Sequence, residues 1–428
     1  KMKFTACKVM AGGIVLLFMA SSLSSPIVFI KNDKCSCATF SCVNNEKIME
    51  IIAMVNESIL LNYLKTLVSF SPRTTGTPGC DKAAEYIYNK FQDMQLETYY
   101  HNWTANGNLL NSEALSGKNV EGILHGNESG KTIVFNAHYD AVEVSAGADD
   151  DGSGVAAVLA AAKVLSNYKF RHTIKFVAFS GEEQGLLGSR AYAKDAYEKN
   201  EEMLVELNAD MIGYTKTKEG GKKFRMYGTE DVSWIMDIVE NIREYVPFSF
   251  IRGTISGEGG GSDYYSFVEY GYESIAFFEG EWNTNMHTPN DTIENMNISY
   301  LVNTTRLIVA TLAYLADMEY TYPDVKIAFP KRGRLYVGEK VKQNFSYEKT
   351  VVIDDIWVKA EAKPGDTQLT KAEFYYDDKL VYTDEQLPFE WHLNKLSLRN
   401  HEIKVVVYDE AGKKSSDWMR IFFINLHR

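Results

Sequence analysis

Basic side chains are in deficit: 45 Lys and Arg stand against 57 Asp and Glu, a formal net charge of −12 over 428 residues. No cationic footprint for a nucleic-acid backbone is present, and nucleic acid is excluded as a partner. Cysteine is scarce, with five in the chain and none in a Cys-x-x-Cys pattern, which argues against a thiolate metal site. No stretch supplies the ~20 uninterrupted apolar residues that a clean membrane span needs. The best candidate, residues 9–20, runs into Ser21, Ser22, Ser24, Ser25 and Pro26 before Ile27, Val28, Phe29 and Ile30 resume. Internal repeats and low-complexity tracts are absent as well.

What is present describes a globular protein with a full core, 45% hydrophobic and 24% charged, long enough for two domains. Lys1, Lys3 and Lys8 ahead of a short apolar run and small residues read as a secretory signal over residues 1–30, an uncleaved anchor being the alternative. Secretion, or display at the cell surface, is the expected location. Residues 31–45 are polar and aperiodic, a linker. With Cys7 in the signal, Cys35, Cys37, Cys42 and Cys80 form an even set that suggests disulfides in an exported chain. Sequons at Asn56, Asn102, Asn127, Asn297, Asn303 and Asn344 fit the same compartment.

Residues 46–321 read as an α/β domain. Ile51, Ile52, Met54, Val55, Leu60, Leu61, Leu64 and Leu67 recur at helical spacing. A turn-rich loop follows, Ser71-Pro72-Arg73-Thr74-Thr75-Gly76-Thr77-Pro78-Gly79, and Asp81 is expected to cap a helix carrying Ala84, Ile87 and Phe91. Short β-rich runs at 132–137, 173–179, 204–207 and 274–278 alternate with helical stretches at 155–165, beyond Glu183 and around 301–318. That alternation predicts a mostly parallel, mixed sheet sandwiched by helices. Beyond Tyr322-Pro323 the chain changes character. Strand-like runs with tight turns over 324–428 predict an all-β, immunoglobulin-like sandwich with no catalytic constellation, suited to contact with a cell surface or glycan or to a spacer role.

Each predicted strand of the α/β domain ends in groups of metal-ligand type: His138-Tyr139-Asp140, Asp149-Asp150-Asp151, Glu182-Glu183, Asp210, and His287 within Met286-His287-Thr288-Pro289-Asn290-Asp291. Ligands of open parallel sheets sit at the carboxyl ends of the strands, so these groups converge on one edge. Zinc accepts imidazole nitrogen and carboxylate oxygen, and a pair of metals needs a bridging carboxylate. Two histidines and three carboxylates serve two zinc ions, and Glu182 is left over beside Glu183, where a general base is wanted.

The segments HYD, GADDDGSG, SGEEQGLLGS, NADMIG and MHTPNDT resemble those of the di-zinc aminopeptidase family that includes bacterial leucyl aminopeptidase and aminopeptidase Y, over residues 55–320. The resemblance implies a zinc exopeptidase fold and hydrolysis of N-terminal residues from peptide substrates. It places His138, Asp150 and Asp210 on one zinc and Asp150, Glu183 and His287 on the other. It makes Glu182 the catalytic base and Asp140 the residue orienting His138, and it implies a cis peptide between Asp150 and Asp151. Tyr264 stands in Ser262-Asp263-Tyr264 where the family usually has a histidine. Rival readings within the fold are a glutaminyl cyclase, which uses one zinc, and a carboxypeptidase or dipeptidase, for which Arg252 is the one basic candidate. A receptor that has lost its metals is a third, from another class. A monomer is expected.

Overall fold

The computed structural model describes residues 45–426, apart from 106–113, 129–130, 243–244, 247, 256–260 and 346–348. The signal-or-anchor segment, nearly all of the linker, and Cys7, Cys35, Cys37 and Cys42 lie outside the described residues. Cys80, the one cysteine among the described residues, is a buried free thiol.

The amphipathic stretch that opens the domain folds as two helices, α1 (Asn45–Ala53) and α2 (Glu57–Val68). The break falls at Asn56, whose side chain accepts the Ile59 amide at 3.1 Å, a Ser/Asn-type cap that starts α2 afresh. Leu60, Leu64 and Leu67 line its buried face. α3 (Pro78–Asp93) is capped by Thr77 rather than by Asp81, which lies in the first turn. Proline at the first helical position has a pre-set φ and no amide left to satisfy there.

After α3 come β1 (Glu97–Ala105) and β2 (Leu115–Leu124), then β3 (Thr132–His138), α4 (Gly152–Leu165), β4 (Thr173–Phe179), α5 (Leu187–Glu198) and β5 (Met203–Ala209). The second half adds β6 (Lys223–Gly228), α6 (Ser233–Ile242), β7 (Ser249–Thr254), α7 (Tyr264–Glu269), β8 (Ser274–Glu279) and α8 (Ile298–Asp317). The eight strands form one sheet in the order β1-β2-β4-β3-β5-β8-β6-β7. Its centre, β4-β3-β5-β8, is parallel. The β1–β2 hairpin and the β8–β6 pairing add antiparallel neighbours on the flanks. One face packs Ile133, Phe135, Val205 and Leu207 against α2, α4 and α8; the other packs Val134, Val177 and Phe179 against α5 and α7. Being covered on both faces, the central strands read as unbroken apolar runs.

The C-terminal region has its own all-β core, with Tyr336, Phe374, Val405 and Phe423 fully or nearly fully buried. Asp324–Phe329, Ile356–Lys363 and Glu390–Leu393 make a three-stranded sheet, and seven further strands make a second one. The long hairpin Ser397–Asp409 with Lys414–Asn425 dominates the larger sheet. Thr350–Ile353 pairs in parallel with both Arg334–Val337 and the last strand, a feature that a chain of hairpins does not predict. The two regions meet at a buried ion pair, Arg332 with Asp417 at 2.9 Å, over which the Tyr197 ring stacks. Gly271, just after α7, is seated there: a Cβ would lie 2.3 Å from Asp417 Oδ1.

Candidate active site

The carboxyl ends of β3, β4, β5 and β8 deliver their polar groups to one edge, as the parallel topology requires. His138 is the last residue of β3, and its Nδ1 meets the Asp140 main-chain carbonyl at 3.2 Å. The Asp140 carboxylate is farther, at 3.7 Å, and it bonds instead to the Thr75 hydroxyl and the Glu182 amide. In the bent His138-Tyr139-Asp140 turn, the carbonyl of Asp140 therefore faces the ring more closely than its side chain does. Nε2 of His138 is left pointing at Asp150 Oδ1 (3.4 Å), Asp210 Oδ1 (3.7 Å) and Glu182 Oε2 (3.9 Å).

Across the site, His287 Nε2 lies 3.1 Å from Asp150 Oδ2 and 3.1 Å from Glu183 Oε2. His287 is half exposed and has a φ of +58°, a left-handed conformation uncommon outside glycine; Met211, next to Asp210, shares it at +55°. Non-glycine residues held there carry strain of the kind that concentrates at functional sites. The five residues named from the sequence thus fall in one cluster, and Glu182 joins it.

Three consecutive aspartates compete for the central position, and their hydrogen bonds separate them. Asp149 accepts the Gly213 amide and the Asn283 side-chain amide, at 2.9 and 2.8 Å. Asp151 caps α4, taking the Gly154 amide (2.9 Å), the His138 amide (3.2 Å) and the Met211 amide (3.3 Å). Asp150 alone presents one oxygen to each histidine. The peptide bond between Asp150 and Asp151 is cis. Asp291 completes the frame, accepting the Asp149 amide at 2.9 Å and the Asp150 amide at 3.2 Å, so the His287 loop is tied to the aspartate loop. Sequence reading gave Asp149, Asp151 and Asp291 no role; each acts on main-chain amides, and only the fold reveals which.

His138 Nε2, Glu183 Oε1 and Asp210 Oδ1 are buried with no hydrogen-bond partner among the described residues. Buried polar atoms are nearly always paired, and here imidazole and carboxylate donors come within ligand range of one another in three overlapping groups: His138 with Asp151 and Asp210, His138 with Glu182 and Glu183, and Asp150 with Glu183 and His287. The donor set fits zinc, which takes nitrogen and carboxylate oxygen at tetrahedral sites. Burial pushes the Asp150 carboxyl up, yet the imidazoles of His138 and His287 outweigh it and hold Asp150 below the usual range. Asp150 and Glu183 in turn push His287 up to about 10. Burial, reinforced by Asp263 and Asp210 against the opposing pull of His138, holds the Glu182 carboxyl well above its ordinary value.

A second buried carboxyl lies on the α5/α7 face of the sheet. Glu206 of β5 is fully buried, accepts from the Asn136 side chain, and has one oxygen without a partner among the described residues. Burial pushes its carboxyl up to about 8, with Asn136 and Ser274 opposing. A raised folded-state value means the unfolded chain ionises first, so stability is complete below about pH 4.5 and declines as pH rises toward 8. Glu206→Gln keeps the neutral form that the fold already holds and removes that decline. The variant is expected to gain on the order of 3 kcal/mol at pH 7 and little at pH 4.5. Melting curves of both proteins at the two pH values check it, and equal gains at both would refute the ionisation account.

Residues 119–312 match the model of peptidase family M28. Aminopeptidase YwaD of Bacillus subtilis (strain 168) is 32% identical over 186 residues, 42% of this chain and 40% of that protein. Leucine aminopeptidase 1 of Ajellomyces dermatitidis is 28% identical over 306 residues, 63% of this chain and 73% of that protein. Among solved structures, a zinc aminopeptidase from Bacillus subtilis superposes with a TM-score of 0.55 at 18% identity, covering 62% of this chain and 97% of that one. A Tannerella forsythia glutaminyl cyclase shares the fold too, with a TM-score of 0.52 at 21% identity over 60% of this chain and 98% of that one. The chain spans less than half the length of the YwaD protein, and the matched part is the α/β region with the site at its edge. What the comparisons show is a likeness to peptidase family M28 over residues 119–312 of the α/β region, with aminopeptidases among the relatives.

Proposed function

We propose that the chain is an aminopeptidase that carries two zinc ions and removes N-terminal residues from peptides. His138, Asp150 and Asp210 would hold one ion, and Asp150, Glu183 and His287 the other. The observation that carries this reading is the Asp150 carboxylate, one oxygen toward each histidine, between two aspartates whose own oxygens are taken up by amides. Zinc bound there would supply a Lewis acid for the scissile carbonyl and a water of lowered pKa. Glu182, 16% exposed at the mouth of the cluster, takes the proton of the attacking water and returns it to the leaving amine.

A glutaminyl cyclase needs one zinc, and a complete five-ligand set favours two. A carboxypeptidase needs a free cation for the substrate carboxylate, and Arg252 is engaged with Asp237 at 2.6 Å and Glu240 at 3.3 Å. We place the enzyme outside the cell on the character of its first 30 residues, and as a monomer whose C-terminal region contacts a surface or serves as a spacer.

Release of leucine from leucine amide tests the assignment. Turnover is expected, with two zinc ions per chain, loss of activity on chelation and recovery with added zinc. Full activity after exhaustive chelation would overturn it, and cyclisation of an N-terminal glutamine without leucine release would move the chain to the cyclase reading.

A further inference from the structure

Arg73 is foremost among the fully buried large side chains of the described residues, and no role in binding or proton transfer falls to it. A buried guanidinium is costly unless its donors are satisfied. Here they meet main-chain carbonyls: Nε to Tyr139 O at 2.9 Å, Nη1 to Ala146 O at 2.7 Å, Nη2 to Gly147 O at 2.8 Å. One planar fork thus joins the loop of His138 to the loop of Asp150. Gly147 has a φ of +62°, and a Cβ there would come within 2.7 Å of Arg73 Nη2, so the loop is fitted closely around the arginine.

The next two residues extend the same brace. Thr74 donates its hydroxyl to Ala141 O at 3.0 Å. Thr75, also buried, donates to Asp140 Oδ2 at 3.1 Å and accepts the Gly181 amide at 2.8 Å, immediately ahead of Glu182 and Glu183. The brace is itself anchored: Thr77 caps α3 while its hydroxyl bonds to Thr74 O at 2.7 Å, and Ser71 reaches Ser145 O at 3.3 Å. Three loops, those of His138, Asp150 and Glu182–Glu183, are therefore tied to one short segment that supplies no ligand.

We propose that Arg73 and Thr75 are positioning residues, holding these three loops at ligand spacing before any metal ion arrives. The physical need is clear. Asp150, Glu182, Glu183 and Asp210 crowd four carboxyl groups into one buried cluster around two imidazoles, and loops that carry such closely set acids are held together only if something fixes their spacing. A fork of fixed geometry does so where a single flexible ammonium would not. The inference rests on the two-zinc reading for its metal readout and stands on a metal-free readout otherwise.

The test uses the full chain with Thr75→Val, Thr75→Ser and Arg73→Lys. Two measurements are made: zinc affinity by competition with a chromophoric chelator, and amide hydrogen exchange of the metal-free chain over residues 138–150 and 180–183. Thr75→Val and Arg73→Lys are expected to lose about 10–100-fold in zinc affinity, the range for outer partners of a metal site, while Thr75→Ser stays near wild type. Exchange in the metal-free Thr75→Val chain should quicken around 140 and 181 and should be normal in Thr75→Ser. Wild-type affinity together with wild-type exchange in Thr75→Val overturns the proposal. So does lost affinity with unchanged exchange, because the effect would then belong to the bound state alone. Should Arg73→Lys fail to fold, the Thr75 pair decides. A wild-type chain that binds no zinc sinks the two-zinc reading, and the exchange result still settles whether the brace exists.

Discussion

Glu182→Gln is expected to retain two zinc ions and to lose between about 10² and 10⁴ in turnover, the usual cost of removing a general base. The two adjacent glutamates end the same strand-to-loop turn, but their surroundings differ. Glu183 Oε2 sits 3.1 Å from His287 Nε2 and its side chain is 5% exposed, which is the setting of a ligand. Glu182 keeps 16% of its side chain exposed and comes no nearer than 3.9 Å to His138 Nε2, while its amide is fixed by Asp140 Oδ1 at 3.3 Å. Its carboxylate is free to reach a water at the mouth of the cluster. Glutamine preserves size and polarity and cannot accept a proton at neutral pH, so binding survives and chemistry does not. Glu183→Gln replaces an anionic donor by a neutral amide. It should lose affinity for one zinc, and its activity should partly recover as zinc is raised. Bound zinc and rate measured for both variants across a zinc titration separate the roles. Metal loss in Glu182→Gln with two ions kept in Glu183→Gln would reverse the two assignments.

The central strands were legible because burial on both faces leaves a continuous apolar run between polar ends. Residues 173–179 were read as a strand from sequence, and β4 occupies Thr173–Phe179. The flanking strands were not. β1 carries Glu97, Tyr99, Tyr100 and Asn102 mostly in solvent, and one nearly buried tryptophan does not make a pattern. Ligand-type residues announced themselves by chemistry and by position after a strand. The residues that hold them did not, since Arg73, Asp151 and Asp291 work through main-chain carbonyls and amides contributed by segments far away in sequence. Nothing in a residue's type says which distant amide it will meet. Asp140 shows the limit from the other side: the residue falls where expected, and its carbonyl, rather than its carboxylate, is nearest the histidine ring.

Asp150→Asn is expected to cut bound zinc from two ions to one or none and to lower turnover by about 10³ or more, as several kcal/mol of transition-state stabilisation go with the metals. A carboxylate can offer a lone pair in each direction; an asparagine can offer its oxygen in one direction and must present an N–H in the other. Facing His138 at 3.4 Å and His287 at 3.1 Å, the asparagine therefore serves one site at best. Asp150 caps no helix, so the variant should still fold, and the metal-free chain should lose only the pairing of this carboxylate with His138 and His287. Asp151 is the rival for the central role, since its carboxylate also lies within ligand range of His138 and Asp210. Its oxygens, however, hold the Gly154, Met211 and His138 amides; in Asp151→Asn the side-chain oxygen can keep the first two, but the NH2 group then faces the His138 amide, which should reduce the stability of the metal-free chain by about 1 kcal/mol or more. The metal count then separates the two variants: it should fall in Asp150→Asn and hold at two in Asp151→Asn. If Asp150→Asn keeps two zinc ions at full rate while Asp151→Asn loses them, the bridge belongs to Asp151, and the amide bonds seen there are the weaker of its two engagements.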